Sequence, residues 1–96
     1  MGKYIKIEKK VSIGQLCRIH PSYGFAGIEQ GMVKVGDFVQ WKHLPKWFPK
    51  ETYEEMDEGV RNEYWIQYAY TDKKHPEFGQ INYLPASYFI DHITIC

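Results

Sequence analysis

The sequence predicts a mainly β protein, a small barrel of five to six short strands that carries one long loop insertion. Aromatic residues make up 17% of the 96 residues, and aromatic and β-branched side chains suit the half-buried surface of a pleated sheet. Short segments alternate between apolar and polar residues, and clusters of Gly, Pro, Asn and Asp separate them. A chain of this length supports a single hydrophobic core. We therefore expect residues 1–96 to form one domain.

The first half of the chain contains three predicted strands. In Tyr4–Ile7 apolar residues alternate with lysines, which predicts the first strand. Gly14–Ile19 has the pattern of a second short strand. Residues 21–31 are rich in glycine and aromatic rings without a helical period, which predicts a long irregular loop. The third strand covers 33–42, and Gly36 interrupts it as a tight turn or bulge would.

The second half begins with the predicted insertion, residues 43–59. Its acidic residues favour the start of a helix and Gly59 favours its end, which predicts one or two helical turns. The rest of the chain again has strand-like segments. A polar turn separates the first of them from the second, and a short 3₁₀ turn at 85–87 separates the second from the third. They give three further strands, at 62–71, 80–84 and 89–95.

The order of these signals resembles the Src-homology-3 (SH3) family over roughly residues 14–93. The runs that carry the resemblance are K-V-G-D-F at 34–38, Y-W-I at 64–66 and L-P-A-S-Y at 84–88. The resemblance implies an SH3-like barrel in which the first and last strands pair. It also implies a shelf of aromatic side chains on which a proline-rich peptide lies as a polyproline II helix.

Four residues match the shelf of that family. Tyr23 resembles the second tyrosine of the family's first aromatic motif, and Tyr64 falls where the first of two neighbouring tryptophans stands. Pro85 and Tyr88 match the closing proline and tyrosine. The insertion is longer than the corresponding loop of the family, so we expect it to act as a specificity arm beside the shelf.

Two rings in the insertion are further candidates for partner contact. Trp47 and Phe48 lie between prolines in a loop, and exposed rings in loops often mark an interface. Glu54 and Glu55 belong to a run of five carboxylates in residues 51–58 that would meet a basic partner. The simpler interpretation of these acids is a solubilising surface.

Two tryptophans on predicted strands have a different expected role. Trp41 and Trp65 each occur in a predicted strand. A tryptophan in a strand usually packs inside the protein, because its large ring gains most from burial. We assign both to the core.

Four possible metal ligands occur as two pairs, Cys17 with His20 and His92 with Cys96. Pairing of the first and last strands would bring the two pairs together. However, alternating side chains place Cys17 and His20 on opposite faces of a strand, and tight zinc knuckles usually contain two cysteines. No metal site is predicted.

Catalysis is not expected either. The side chains able to act as nucleophile or base are Cys17, Ser22, Ser87 and the four histidines, and none of them stands in a recognised catalytic motif. The sequence therefore predicts neither an enzyme nor a cofactor, and no small-molecule substrate is expected.

These observations favour a module that binds a peptide or protein partner. A first alternative is a free-standing inhibitor or regulator, of the kind that viruses and mobile elements encode, which docks on a host enzyme through the insertion. A second alternative is a small barrel that binds nucleic acid. The formal net charge of zero disfavours it, because attraction to phosphate dominates such binding.

The sequence also predicts a cytoplasmic location. No apolar run near Met1 suits a signal peptide, and no segment is long enough and apolar enough to cross a membrane. Two cysteines are too few for a disulfide framework, so both are expected to stay reduced.

Overall fold

The computed structural model describes residues 4–6, 10–20 and 30–95, with only the backbone at 4–6 and 10. Strands predominate, which confirms the mainly β fold class, and both α-helices are short. The strands are β1 Tyr4–Lys6, β2 Lys10–Ser12, β3 Leu16–Ile19, β4 Gly31–Val39, β5 Trp65–Tyr70, β6 Asn82–Pro85 and β7 Ile93–Ile95, and the helices are α1 Glu58–Arg61 and α2 Ala86–Asp91.

Five of the strands form one antiparallel sheet in the order β6-β5-β4-β3-β7, and β1 pairs with β2 separately. Within this sheet the first strand along the chain, β3, lies beside the last, β7, with Cys17 opposite Ile95 and Ile19 opposite Ile93. The long middle strand β4 pairs with β3 on one side and β5 on the other. The first and last strands of this sheet therefore lie side by side.

Alternation along the strands produces two hydrophobic clusters. In β5, Ile66 and Tyr68 belong to the larger cluster, whereas Trp65 belongs to the smaller one. Successive side chains of a strand point to opposite faces, so the two clusters lie on opposite faces of the sheet. The larger cluster is the main core, and it includes Phe89 of α2.

The insertion covers the second face. Leu44 and Phe48 of the insertion are buried with Trp65 and Tyr83 of the sheet, and Tyr53 and Met56 pack partly buried around them. Each large apolar side chain that is fully buried contributes about 1.5–3 kcal/mol relative to exposure. The insertion is therefore a packed layer with its own small core.

The interruption predicted at Gly36 is confirmed as a change of register between β4 and β5, located between Val35 and Phe38. Gly36 permits a close approach there. A β-carbon at this position would overlap the side-chain carboxamide of Gln67, which donates a hydrogen bond to the Tyr83 hydroxyl at 2.9 Å. Only a residue without a side chain leaves room for that amide.

The strand prediction is wrong at several boundaries. β4 ends at Val39, and Trp41 lies in a 3₁₀ turn, Trp41–His43. The short strand β2 was not predicted, because three residues are too few for an alternating pattern. Residues 89–91, expected in the last strand, belong to α2, where the apolar side chains of Phe89 and Ile90 face the core together.

The helix prediction for the insertion is also wrong in its position. The segment contains a 3₁₀ turn, Lys50–Thr52, and α1 starts only at Glu58, with the Asp57 carboxylate accepting a hydrogen bond from Gly59 N at 2.7 Å. Asp57 caps the start of this helix. Gly59 consequently lies inside the first turn and does not end a helix.

Candidate functional site

Tyr64 directly precedes β5. Its carbonyl accepts a hydrogen bond from Ala86 N at 2.9 Å, immediately beyond the point where Trp65 lies opposite Pro85 across β5 and β6. Tyr64 as a whole is nevertheless 51% exposed. The backbone of this tyrosine is held by the sheet while its ring remains available to a partner.

A carboxylate bridge fixes α2 beside Tyr64. Glu63 Oε1 accepts a hydrogen bond from Ser87 N at 2.8 Å, and Glu63 Oε2 accepts one from the Ser87 hydroxyl at 2.9 Å. Hydrogen bonds to a charged acceptor are among the stronger ones in proteins. The bridge thus joins the segment just before β5 to the first turn of the helix that carries Tyr88.

The predicted shelf is only partly assembled by the described residues. Tyr88 lies in α2 with its side chain half-buried, and its carbonyl contacts His92 Nδ1 at 2.6 Å. Pro85 is fully buried, so its ring is not available to a ligand and the prediction of direct contact is wrong for this residue. Tyr23 lies outside the described residues. The structure therefore places Tyr64 beside the start of α2, with Tyr88 farther along the same helix.

Phe48 is a core residue, contrary to the prediction that it is exposed. Its ring stacks on Tyr53 with centroids 5.3 Å apart, and meets Trp65 and Tyr83 edge-on at 5.5 and 5.8 Å. Edge-to-face contacts between rings stabilise a fold by more than the burial of their apolar area alone. Four interlocking rings explain why a loop residue between prolines is buried.

Trp47, the neighbour of Phe48, is the most exposed of the large apolar residues described, at 63%. One side of its ring is supported, since Tyr83 and Phe48 lie at centroid distances of 6.0 and 6.4 Å. A large ring that is backed by the core and open to solvent on its other side suits a partner's groove. The prediction of an exposed ring in the insertion holds for Trp47.

The acidic residues of the insertion lie at the surface. Glu54 and Glu55 are exposed, and so are the other three members of the run, Glu51, Asp57 and Glu58. Asp57 has the local structural role of capping α1. The insertion therefore presents Trp47 on a segment that also carries several accessible negative charges.

Trp41 and Trp65 differ in burial. Trp65 is fully buried and its indole N–H donates a hydrogen bond to the Arg61 carbonyl at 3.1 Å, which confirms its assignment to the core. Trp41 is only partly buried. Lys50 Nζ lies 5.5 Å and the Arg61 guanidinium carbon 6.0 Å from its ring centroid, so both cations contact this ring.

The four possible metal ligands named from the sequence are not grouped as a site. Cys17 is buried, whereas His20 is exposed and its Nε2 contacts the Thr94 hydroxyl. The two segments do meet, with His20 N donating to the His92 carbonyl at 2.8 Å. Cys96 lies outside the described residues, and among the residues described no three His, Cys, Asp or Glu side chains are grouped to hold a metal ion.

Glu63 is the residue of this region that the sequence prediction missed. A glutamate before an aromatic strand carries no signal of its own, and its role depends on a serine 24 positions away along the chain. The only available signal was the Ser87 position after Pro85, because serine near a helix start commonly takes part in capping.

Comparisons with known proteins give no relative: no family model, curated protein or solved structure matches this chain. Within the described ranges, no helix has the length and apolar character required to cross a membrane.

Proposed function

We propose that this protein is an interaction module of SH3-like architecture that binds a peptide or protein partner through the rings of Tyr64 and Tyr88, with the insertion as a specificity arm. The pairing of β3 with β7 supports the SH3-like interpretation, since first and last strands pair in that family. The order of the matching runs along β4, β5 and the β6–α2 junction supports it as well.

The observation that carries the proposal is an exposed ring on a fixed backbone. Tyr64 exposes half of its surface, while the bonds from Ala86 and Ser87 hold it and the adjoining Glu63 in place. A preorganised aromatic side chain loses little entropy on binding, which is why tyrosine and tryptophan are common among the residues that dominate interfaces.

The test starts from partners captured from native lysate, whose affinities are then measured by calorimetry with purified proteins. Tyr64→Ala and Tyr88→Ala should each weaken the complex by about 1 kcal/mol or more. Phe78→Ala is the matched control, because Phe78 is also about half exposed but lies in the turn between β5 and β6. If the two tyrosine variants bind as the control does, the shelf is not the binding site.

The second candidate function is an inhibitor or regulator that docks on one enzyme through the insertion. The exposed Trp47 ring, backed by Tyr83, favours it, and so do the five exposed acids. Here Trp47→Ala should abolish binding. Neutralising Glu54 and Glu55 should mainly slow association and reduce its dependence on salt, because exposed charges steer encounter more than they hold the complex.

A further inference from the structure

The turn between β5 and β6 is tied to its neighbours by the ring of His75. The carbonyl oxygen of Gln30, the residue before β4, lies 2.9 Å from His75 Nε2. Glu77 N donates a hydrogen bond to His75 Nδ1 at 3.0 Å. The ring also stacks on Tyr70 of β5, with centroids 3.8 Å apart and an angle of 8° between the planes. One titratable side chain thus contacts three segments of the fold.

The two nitrogens of the ring have opposite roles in these hydrogen bonds. A carbonyl oxygen only accepts, so Nε2 carries a proton and donates to Gln30. A backbone N–H only donates, so Nδ1 is unprotonated and accepts the bond from Glu77. The geometry therefore assigns His75 to the neutral Nε2–H tautomer. A second proton, which would bind at Nδ1, would set two N–H donors against each other and break the bond to Glu77.

Protonation would leave the other contacts of the ring intact. Nε2 remains a donor in the imidazolium ion, and the charge strengthens its bond to the Gln30 carbonyl. The stack on Tyr70 also suits a cation. The ring fits closely against the backbone at Gly31, whose φ is +145°, because a β-carbon there would lie 3.1 Å from His75 Cδ2. We therefore expect the ring to stay in place when it gains a proton, and the segment around Glu77 to move.

The turn itself contains acceptors for the new Nδ1–H group. The titratable and charged groups of the segments around the ring are the Tyr70 hydroxyl on β5 and, in the turn, Asp72, Lys73, Lys74 and Glu77. The start of β4 meets the ring with backbone atoms of Gln30 and Gly31. An imidazolium N–H attracts the two carboxylates of the turn and repels its two lysines. Exchange of the Glu77 N–H for a carboxylate at Nδ1 would change the conformation of the turn.

Phe78 links this change to the protein surface. It follows Glu77 directly and is 46% exposed, and its N–H donates a hydrogen bond to the His75 carbonyl at 3.0 Å. An ordinary imidazole changes its charge between about pH 5 and 8. We propose that His75 is a pH-sensitive latch. The neutral ring holds the Glu77 segment, and protonation releases the Glu77 N–H and moves Phe78 while the ring stays between Tyr70 and Gln30.

Nuclear magnetic resonance of the full chain labelled with ¹⁵N tests the latch between pH 7.5 and pH 5. At pH 7.5 the His75 ring should carry its proton on Nε2. As the ring gains its second proton, the amide signals of Glu77 and Phe78 should shift with the same midpoint. Protection of the Glu77 amide against hydrogen exchange, corrected for the intrinsic effect of pH, should fall about fivefold, as loss of one hydrogen bond predicts. The Nδ1–H tautomer at pH 7.5, or a Glu77 amide that is insensitive to the titration of the ring, would overturn the proposal.

Two variants identify the group that causes the response. Glu77→Gln removes the carboxylate and keeps the backbone N–H, so the response of the amide at position 77 should persist. Its loss would show that the Glu77 carboxylate is the titrating group, and the latch would be rejected. His75→Phe keeps an aromatic ring against Tyr70 and should abolish the response. Glu77→Gln and the tautomer of the parent chain decide the question even where His75→Phe does not fold.

A matched control uses another histidine. His43 is exposed and lies in the 3₁₀ turn Trp41–His43. His43→Phe should leave the response unchanged, whereas a response that survives in His75→Phe or disappears in His43→Phe contradicts the latch. Tyr64 and Tyr88 are the same in all these proteins, so the outcome is independent of the proposed shelf.

Discussion

Glu63 accepts two hydrogen bonds from Ser87, one from its backbone N–H and one from its hydroxyl, at 2.8 and 2.9 Å. One side chain thereby connects the segment just before β5 with the start of α2. The same side chain holds in register the two segments that carry Tyr64 and Tyr88. Stability and binding should therefore both depend on Glu63.

Replacement of Glu63 by alanine should lower the free energy of unfolding by about 1–3 kcal/mol, because hydrogen bonds to a charged acceptor are lost. Glu63→Gln should lower the free energy of unfolding by less, since one acceptor oxygen remains. Urea denaturation measures both. Glu54→Ala, which removes an exposed carboxylate of the insertion, is the control and should stay within about 0.5 kcal/mol of the parent. Equal stabilities of Glu63→Ala and Glu54→Ala would contradict this role.

Gly36→Ala should destabilise the sheet by about 0.5–1.5 kcal/mol, because the added methyl group overlaps the Gln67 carboxamide and displaces it from its hydrogen bond to the Tyr83 hydroxyl. The same substitution in a Gln67→Ala background should cost far less, as the obstructing atoms are gone. A double-mutant cycle from urea denaturation measures this coupling. Additive effects of the two substitutions would show that the glycine is needed for another reason.

Neighbouring rings of the insertion should behave in opposite ways. Phe48→Ala should cost about 3–5 kcal/mol of stability, because it leaves a cavity among Tyr53, Trp65 and Tyr83. Trp47→Ala should cost less than about 1 kcal/mol, since most of that ring is already in solvent. Thermal and urea denaturation of both variants give the comparison. Similar losses for the two would mean that Trp47 is also part of the second cluster.

The contrast between these two rings shows where sequence reasoning reached its limit. Alternation in β5 and the interruption at Gly36 are local signals, and both led to correct predictions of a strand and a bulge. Whether Trp47 or Phe48 faces inward depends on the sheet residues Trp65 and Tyr83, which lie far along the chain. The prolines on both sides of these two rings predicted a loop, but they carry no information on which ring faces the core.

The helix α2 illustrates the same limit. Residues 89–95 are rich in aromatic and β-branched side chains, which suit a strand, and the helical conformation of 89–91 depends on tertiary contacts. Phe89 and Ile90 are both buried in the main core, and Glu63 holds Ser87 at the first turn. For the candidate site, Tyr64 could be predicted from the resemblance, whereas the burial of Pro85 and the role of Glu63 required the structure.

The last prediction concerns alkaline pH and Tyr68. Burial in the main core raises the pKa of its phenol well above the ordinary value of 10.0, and the neighbouring Tyr70, Glu77 and Tyr53 act in the same direction. The phenol thus ionises at lower pH in the unfolded chain than in the folded one. Stability from this difference is fully present below pH about 10 and is lost as the pH rises beyond it, by up to about 1.4 kcal/mol per pH unit for one group.

Urea denaturation at several pH values between 8 and 11.5 measures this loss, and Tyr68→Phe is the matched variant because it keeps the ring and removes the titrating group. The free energy of unfolding should fall more gently above pH 10 in the variant than in the parent. Lysines and the other tyrosines are the same in both proteins, so their contributions cancel in the comparison. In a pH titration followed by absorbance near 295 nm, the folded variant should show one fewer phenol that ionises only well above pH 10. Parallel declines in the two proteins would mean that Tyr68 ionises at the same pH whether the chain is folded or not.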